Sequence, residues 1–175
     1  MAAFITDKDK GWKRILREVQ AANGAYVKVG VLQSAPPEEN GMSMAKVATI
    51  NEYGAPSVGI PSRPFMRQTM ARISNQIKNA FKSEYSKILA GKTKAVMSLK
   101  RIGTFVQKEI KREFTQGKFA PNRPSTIAKY ASRIAAGKAK QKGVKNKSFN
   151  SAVMAKRPLI DTRRLSRSIN YEVKS

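Results

Sequence analysis

The chain has 175 residues, the length of one ordinary domain, although two small ones also fit it. Folding at this size hides roughly 70% of the extended chain's surface, so a hydrophobic core is within reach. Lys and Arg number 35 against 11 Asp and Glu, a formal charge of +24 that points to a polyanionic neighbour. Cys and His are both absent. That excludes disulfides, thiol catalysis, thiolate metal sites, Ser-His triads and most zinc chemistry. The expectation is a protein that is not an enzyme and holds no cofactor or metal.

Residues Met1 to Lys10 are polar and carry both charge signs, unlike a signal peptide. No uncharged apolar run approaches the roughly 20 residues of a membrane span. No membrane partner is expected, and the chain reads as one made and kept in a reducing cytoplasm.

In chain order, the spacing predicts a helix over 8–22, with Asp7 as its cap and Trp12, Ile15, Leu16 and Val19 on one face. Residues 25–32 alternate and are β-branched, which predicts a strand. After a Pro-rich loop over 33–42, a short helix runs from Ser43 to Tyr53, closed by Gly54. The stretch from Ala55 to Met66 holds Pro56, Gly59, Pro61 and Pro64, a stiff turn. Pro64 then suits the first turn of a long helix to about residue 90. Its apolar stripe reads Met66, Met70, Ile73, Ile77, Phe81, Tyr85 and Ile88.

A second long helix is predicted from Thr93 to Gln116, with Leu99, Ile102, Val106, Ile110 and Phe114 in line. The short Gly91-Lys92 connection makes the two long helices antiparallel neighbours. Ser125 can cap a further short helix to about residue 136. The Gly- and Lys-rich run over 137–150 has little to bury and reads as an exposed basic loop or arm. At the end, Asp161 or Thr162 caps a short turn through Leu165, and 168–174 alternate as a last strand. The expected class is α+β, with a small antiparallel sheet packed on two long antiparallel helices. The whole chain, 1–175, reads as a single domain.

Several small constellations fit structural roles better than chemistry. Gly91-Lys92-Thr93 looks like the end of a phosphate-binding loop, but Ser86 stands where its first Gly belongs. A helix–helix turn with Thr93 as cap accounts for it. Adjacent Glu38 and Glu39 do not converge on one ion. Glu109 and Glu113 share a helix face with Lys108, Lys111 and Arg112, so local ion pairing accounts for them.

The basic stretch stands out. Residues 91–175 carry 22 basic and 4 acidic side chains, and the 47 residues between Glu113 and Asp161 hold eleven cations and no acid. A charge run can be a solvated face, yet this one repels itself unless something neutralises it. Phosphates of double-stranded DNA would do so, without sequence preference and with steep salt dependence. Lys138, Lys140, Lys142, Lys145 and Lys147 are the candidate DNA contacts. Few aromatics sit among them, so base stacking is not indicated.

Two segments carry a family resemblance. The first is Ala48-Thr49-Ile50-Asn51-Glu52-Tyr53-Gly54 followed by Ile60-Pro61-Ser62-Arg63-Pro64-Phe65-Met66-Arg67. The second, about 90 residues later, is Pro158-Leu159-Ile160-Asp161-Thr162 followed by Leu165, Ser168-Ile169 and Tyr171. This ordered pair resembles the tail-completion (neck, head–tail joining) family of long-tailed bacteriophages. Ser125-Thr126-Ile127 with Lys129 matches a further family region more loosely. Arg163 departs from the family's Gly at that place, and Phe119-Ala120-Pro121 replaces an expected aromatic.

The resemblance implies a non-enzymatic virion protein, assembled in the host cytoplasm and sited at the neck. It implies a homo-oligomeric, six-fold ring around the DNA channel. The connector or head-completion protein would lie above it, and the tail terminator or tail-tube protein below. Packaged double-stranded DNA would pass through. Glu52, Tyr53, Gly54, Arg63, Pro64, Phe65, Asp161 and Thr162 become candidates for a subunit interface or a structural motif. In its rigid turn, Arg63 is placed to hold a carboxylate, with Glu52 one candidate, or a neighbouring subunit. A plain surface Arg beside a capped helix is the other reading. The rival function is a cellular, sequence-independent nucleic-acid-binding protein of the ribosome-associated type.

Overall fold

The structure is a computed structural model that describes residues 11–32, 34–38, 41–135, 158–159 and 164–174. In chain order its elements are α1 (Trp12–Ala22), β1 (Tyr26–Val31), α2 (Met44–Tyr53) and a 3-10 turn (Pro56–Val58). The long helices α3 (Phe65–Leu89) and α4 (Ala95–Gln116) follow, then α5 (Pro124–Ala135), α6 (Arg164–Ser168) and β2 (Ile169–Lys174). The class is α+β: β1 and β2 pair antiparallel, and α3 and α4 pack against them. Among the described residues no helix is long and apolar enough to cross a membrane. The chain forms two compact units, each holding part of α3 and of α4.

The first unit comprises residues 1–29, 73–106 and 171–175. Helix α1 starts at Trp12 because Gly11 holds a left-handed φ of 106°. The expected cap, Asp7, lies outside the described residues. No residue of α1 is buried, and Trp12 is 63% exposed. The polar side of the helix does more. Arg14 donates to the carbonyls of Ile88 and Leu89, both at 3.1 Å, and so caps the negative end of α3. One turn further on, the Glu18 carboxylate accepts the Ala95 amide at 2.9 Å, at the positive end of α4. Thr93, expected to cap α4, instead accepts a bond from Arg101 at 3.0 Å.

The core of this unit is narrow: Ile73, Ala95, Ile102 and Val106 are its buried hydrophobics among the described residues. Glu84 is buried beside them. Lys87 at 2.6 Å, Ser98 at 2.8 Å and Arg101 at 2.8 Å all donate to its carboxylate. The Lys87 bond chiefly holds the Glu84 pKa down at about 2, against the opposing effect of burial. Gly103 lets α4 approach the strands: a Cβ there would stand 2.6 Å from the Tyr171 ring and 2.8 Å from Val27.

The second unit comprises residues 30–72 and 107–170. Met44, Ala48, Phe65, Ile110, Phe114, Leu159, Leu165 and Ile169 are buried in it. The Phe65 and Phe114 rings meet at 4.7 Å between centroids, and α2 packs on α6. Gln107 donates to the Ile169 carbonyl at 2.9 Å, tying α4 to β2. Arg72 of α3 bridges Glu109 at 2.8 Å and Glu113 at 3.0 Å, and adds to the local pairing expected from sequence, which is present between Arg112 and Glu109 at 3.6 Å. The bond to Arg72 is the main reason that the Glu109 pKa lies below the usual carboxylate range.

The buried face of α3 also departs from the expected stripe. Of the expected stripe, Ile73 is buried and Met66, Ile77 and Ile88 are half-buried, but Met70, Phe81 and Tyr85 are exposed, and Phe65, Thr69 and Glu84, outside that stripe, are buried. Two overlapping stripes with helical spacing coexist in this sequence. The core takes the one whose polar members find partners. Thr69 donates to the Phe65 carbonyl at 2.7 Å, and Glu84 has the three donors described above.

Candidate functional site

The site grows from the problem of starting α3 in the second unit. Pro64 occupies the cap position, and its carbonyl accepts the first helical bond, from the Gln68 amide at 2.9 Å. A proline has no side-chain acceptor to offer the next amides, which would be left unsatisfied. Glu52, the penultimate residue of α2, supplies both acceptors. Its Oε2 accepts from the Met66 amide at 2.9 Å and its Oε1 from the Arg67 amide at 3.0 Å. The Arg67 guanidinium closes the motif, donating to Oε1 at 3.1 Å and to the Glu52 carbonyl at 2.9 Å. Its carbon also stands 4.8 Å above the Tyr53 ring, which is 64% exposed.

The turn between the two helices is held at each step. Gly54 has a φ of 79°, and a Cβ there would lie 2.8 Å from the Ser62 nitrogen and 2.9 Å from the Ile60 oxygen. Only glycine fits. Ala55 and Ile60 form an antiparallel bridge, the Ser62 hydroxyl donates to the Glu52 carbonyl at 2.8 Å, and the Arg63 amide donates to the Asn51 carbonyl at 2.7 Å. Phe65, fully buried against Phe114, anchors the far end.

Arg63 is only 5% exposed, and it does not meet Glu52. Its Nε donates to the Ala120 carbonyl at 3.0 Å. Nη2 donates to the Pro121 carbonyl at 3.2 Å and to Asn122 Oδ1 at 2.9 Å, while Nη1 reaches Asn51 Oδ1 at 3.4 Å. All four acceptors are neutral. Burial pushes the Arg63 pKa down. The guanidinium thus pins the loop after α4 to the turn before α3, and Glu52 takes Arg67 in its place.

A groove of about 240 Å³ opens over Arg63. Ile50, Ile60 and Pro61 line one part of it, and Leu159 and Leu165 another. Asn122, Arg123 and Glu38 add polar groups. Arg123 lies across Gly59 and donates to the Val58 carbonyl at 3.3 Å. Glu38 faces Arg164 at 3.9 Å. Residues of 50–63 therefore share one surface with Pro158, Leu159 and Leu165, far away in sequence.

Of the residues singled out from sequence, the structure brings together Glu52, Tyr53, Gly54, Arg63, Pro64 and Phe65. Asp161, Thr162 and the lysines 138, 140, 142, 145 and 147 lie outside the described residues. Sequence reading missed Arg67, Asn51, Asn122 and Arg123. A signal existed for Arg67, because a proline at a helix start calls for an acceptor from elsewhere and that acceptor for a cation. Asn122 and Arg123 belong to a turn with no recognisable pattern. Among the described residues, no three His, Cys, Asp or Glu side chains gather as a metal-binding group. No protein-family model matches the chain, and no curated protein and no solved structure matches it either.

Proposed function

We propose that the chain is a structural protein of the neck of a long-tailed bacteriophage, joining tail to connector in a ring around the DNA channel. The observation that carries this reading is the ordered pair of segments, 48–67 and 158–171, which resembles the tail-completion family. Two features support it. The first segment is built as a rigid elbow by Glu52, Gly54, Arg63 and Arg67, a scaffold suited to holding a fixed shape under load. Pro158, Leu159 and Leu165 of the second segment lie on the same groove as Ile60 and Arg63 of the first. In this reading, the +24 charge meets the phosphates of the packaged genome, with the lysines between 138 and 147 as the contacts.

The test is a stop codon early in the gene of the phage that encodes the chain. Electron microscopy of the lysate should show full heads and finished tails that remain unjoined, restored by the intact gene in trans. Joined, infectious particles made without the protein would refute the reading. The charge by itself also fits a cellular nucleic-acid binder. That rival predicts association with bulk nucleic acid that falls steeply as salt rises, and normal particles from the mutant.

A further inference from the structure

We propose that one exposed face of α3, between residues 75 and 86, binds single-stranded nucleic acid by stacking its bases. This goes beyond the neck reading and does not depend on it.

Charge selects the class of partner. The first unit carries 14 basic and 5 acidic residues over 1–29, 73–106 and 171–175, a formal +9. The count covers every residue of that unit, Asp7 and Asp9 included, so its sign does not depend on where any of them lies. Between residues 73 and 89 the sequence has one acid, Glu84. Its buried carboxylate accepts from Lys87, Ser98 and Arg101. A second copy of the chain would meet this face with like charge, whereas a polyanion is attracted to it.

The side chains on the face select the polyanion. Phe81 and Tyr85 are 45% and 57% exposed, and they stand one helical turn apart. Lys78 and Lys82, both exposed, follow beside them at the same interval. Asn75, Asn79 and Ser86 are exposed along the next line of the helix. Rings take the faces of bases, ammonium groups take phosphates, and amides and hydroxyls suit sugars and base edges. A protein helix docking here would call instead for aliphatic anchors where the lysines and asparagines stand. Spacing disfavours a duplex. Four residues of helix rise about 6 Å, whereas successive nucleotides of one duplex strand are about 3.4 Å apart. Paired bases also keep their faces covered by their neighbours. An unstacked single strand can lay one base on each ring.

Fluorescence anisotropy on the full chain tests this with three labelled probes. They are an oligothymidylate of eight nucleotides, an abasic strand of the same length and charge, and a peptide of eight glutamates. The oligothymidylate should bind about tenfold more tightly than the abasic strand, because cations elsewhere on the chain hold both alike. Tyr85→Ala should erase most of that difference, and leave abasic binding and Tm unchanged. Tyr85→Phe should keep the native affinity, since the ring stacks and the hydroxyl does not. Phe81→Ala should act in the same direction as Tyr85→Ala. Replacing Lys78 and Lys82 together by Ala should weaken both strands and lower the salt slope by about 1.4. Equal affinity for the two strands, or oligothymidylate binding indifferent to Tyr85→Ala, would overturn the proposal. Glutamate peptide bound as tightly as oligothymidylate, and released by Tyr85→Ala, would overturn it in favour of an acidic protein. Self-association abolished by the same variant would overturn it in favour of a second copy.

Discussion

The two compact units use their apolar residues in opposite ways. The second buries two packed phenylalanines and six aliphatic side chains, and fixes its turns with charged groups that are themselves buried. The first buries Ile73, Ala95, Ile102 and Val106, while Trp12, Leu16, Val19, Phe81, Tyr85, Leu89 and Met97 are each at least 39% exposed. What stiffens the first unit is polar: Arg14 and Glu18 at the ends of two helices, and the Glu84 cluster between them. Hydrophobic content alone does not locate a core. A stripe becomes core only where a neighbouring element covers it.

The largest effect should come from the second unit's centre. Phe65→Ala removes a fully buried ring from against Phe114, and should cost about 3–5 kcal/mol in denaturant unfolding. If it cost no more than a surface change, the contrast between the units would fail. Next is Glu52→Ala, which orphans the Met66 and Arg67 amides. A loss of about 2 kcal/mol is expected, and Glu52→Gln, which keeps an acceptor, should lose less. Gly103→Ala should destabilise the first unit by about 1–3 kcal/mol, because its methyl meets the Tyr171 ring. Helix propensity alone would make that change favourable by about 1 kcal/mol, so even the sign is informative.

Glu84 sharpens the comparison through pH. Its carboxyl sits at about 2 in the folded chain against an ordinary 4.5. A group whose folded pKa is depressed stabilises the fold above its unfolded pKa and loses that contribution as pH falls through the folded one. The contribution should be complete above about pH 4.5 and fade toward pH 2. Glu84→Gln should flatten that part of the stability profile, measured by thermal unfolding across acid pH. Smallest of all, Tyr85→Ser on the exposed face should change stability by less than about 0.5 kcal/mol.

Much of the fold was legible in the sequence, for identifiable reasons. Alternation with β-branched residues marked both strands, and Ser43, Gly54 and Pro64 bounded α2 and α3 near their observed ends. The α4 stripe was right at Ile102, Val106, Ile110 and Phe114, where the apolar positions allow one reading. On α3 they allow two, and the partners of the buried Glu84 include Ser98 and Arg101 of α4, which no window along α3 contains, beside Lys87 of α3 itself. The same limit applied to the site. Glu52 and Arg63 could be picked out, but pairing them with each other ignored that Pro64 leaves two amides in want of a carboxylate. Arg63's acceptors lie at 120–122, in a turn that periodicity does not describe.

The proposed neck role meets its most direct test in quantitative mass spectrometry of purified particles of the phage that, on that proposal, encodes the chain. The account predicts the protein in every infectious particle, in the amount of a single closed ring and far below the tail-tube protein. Particles complete in their other structural proteins and lacking this one would contradict it.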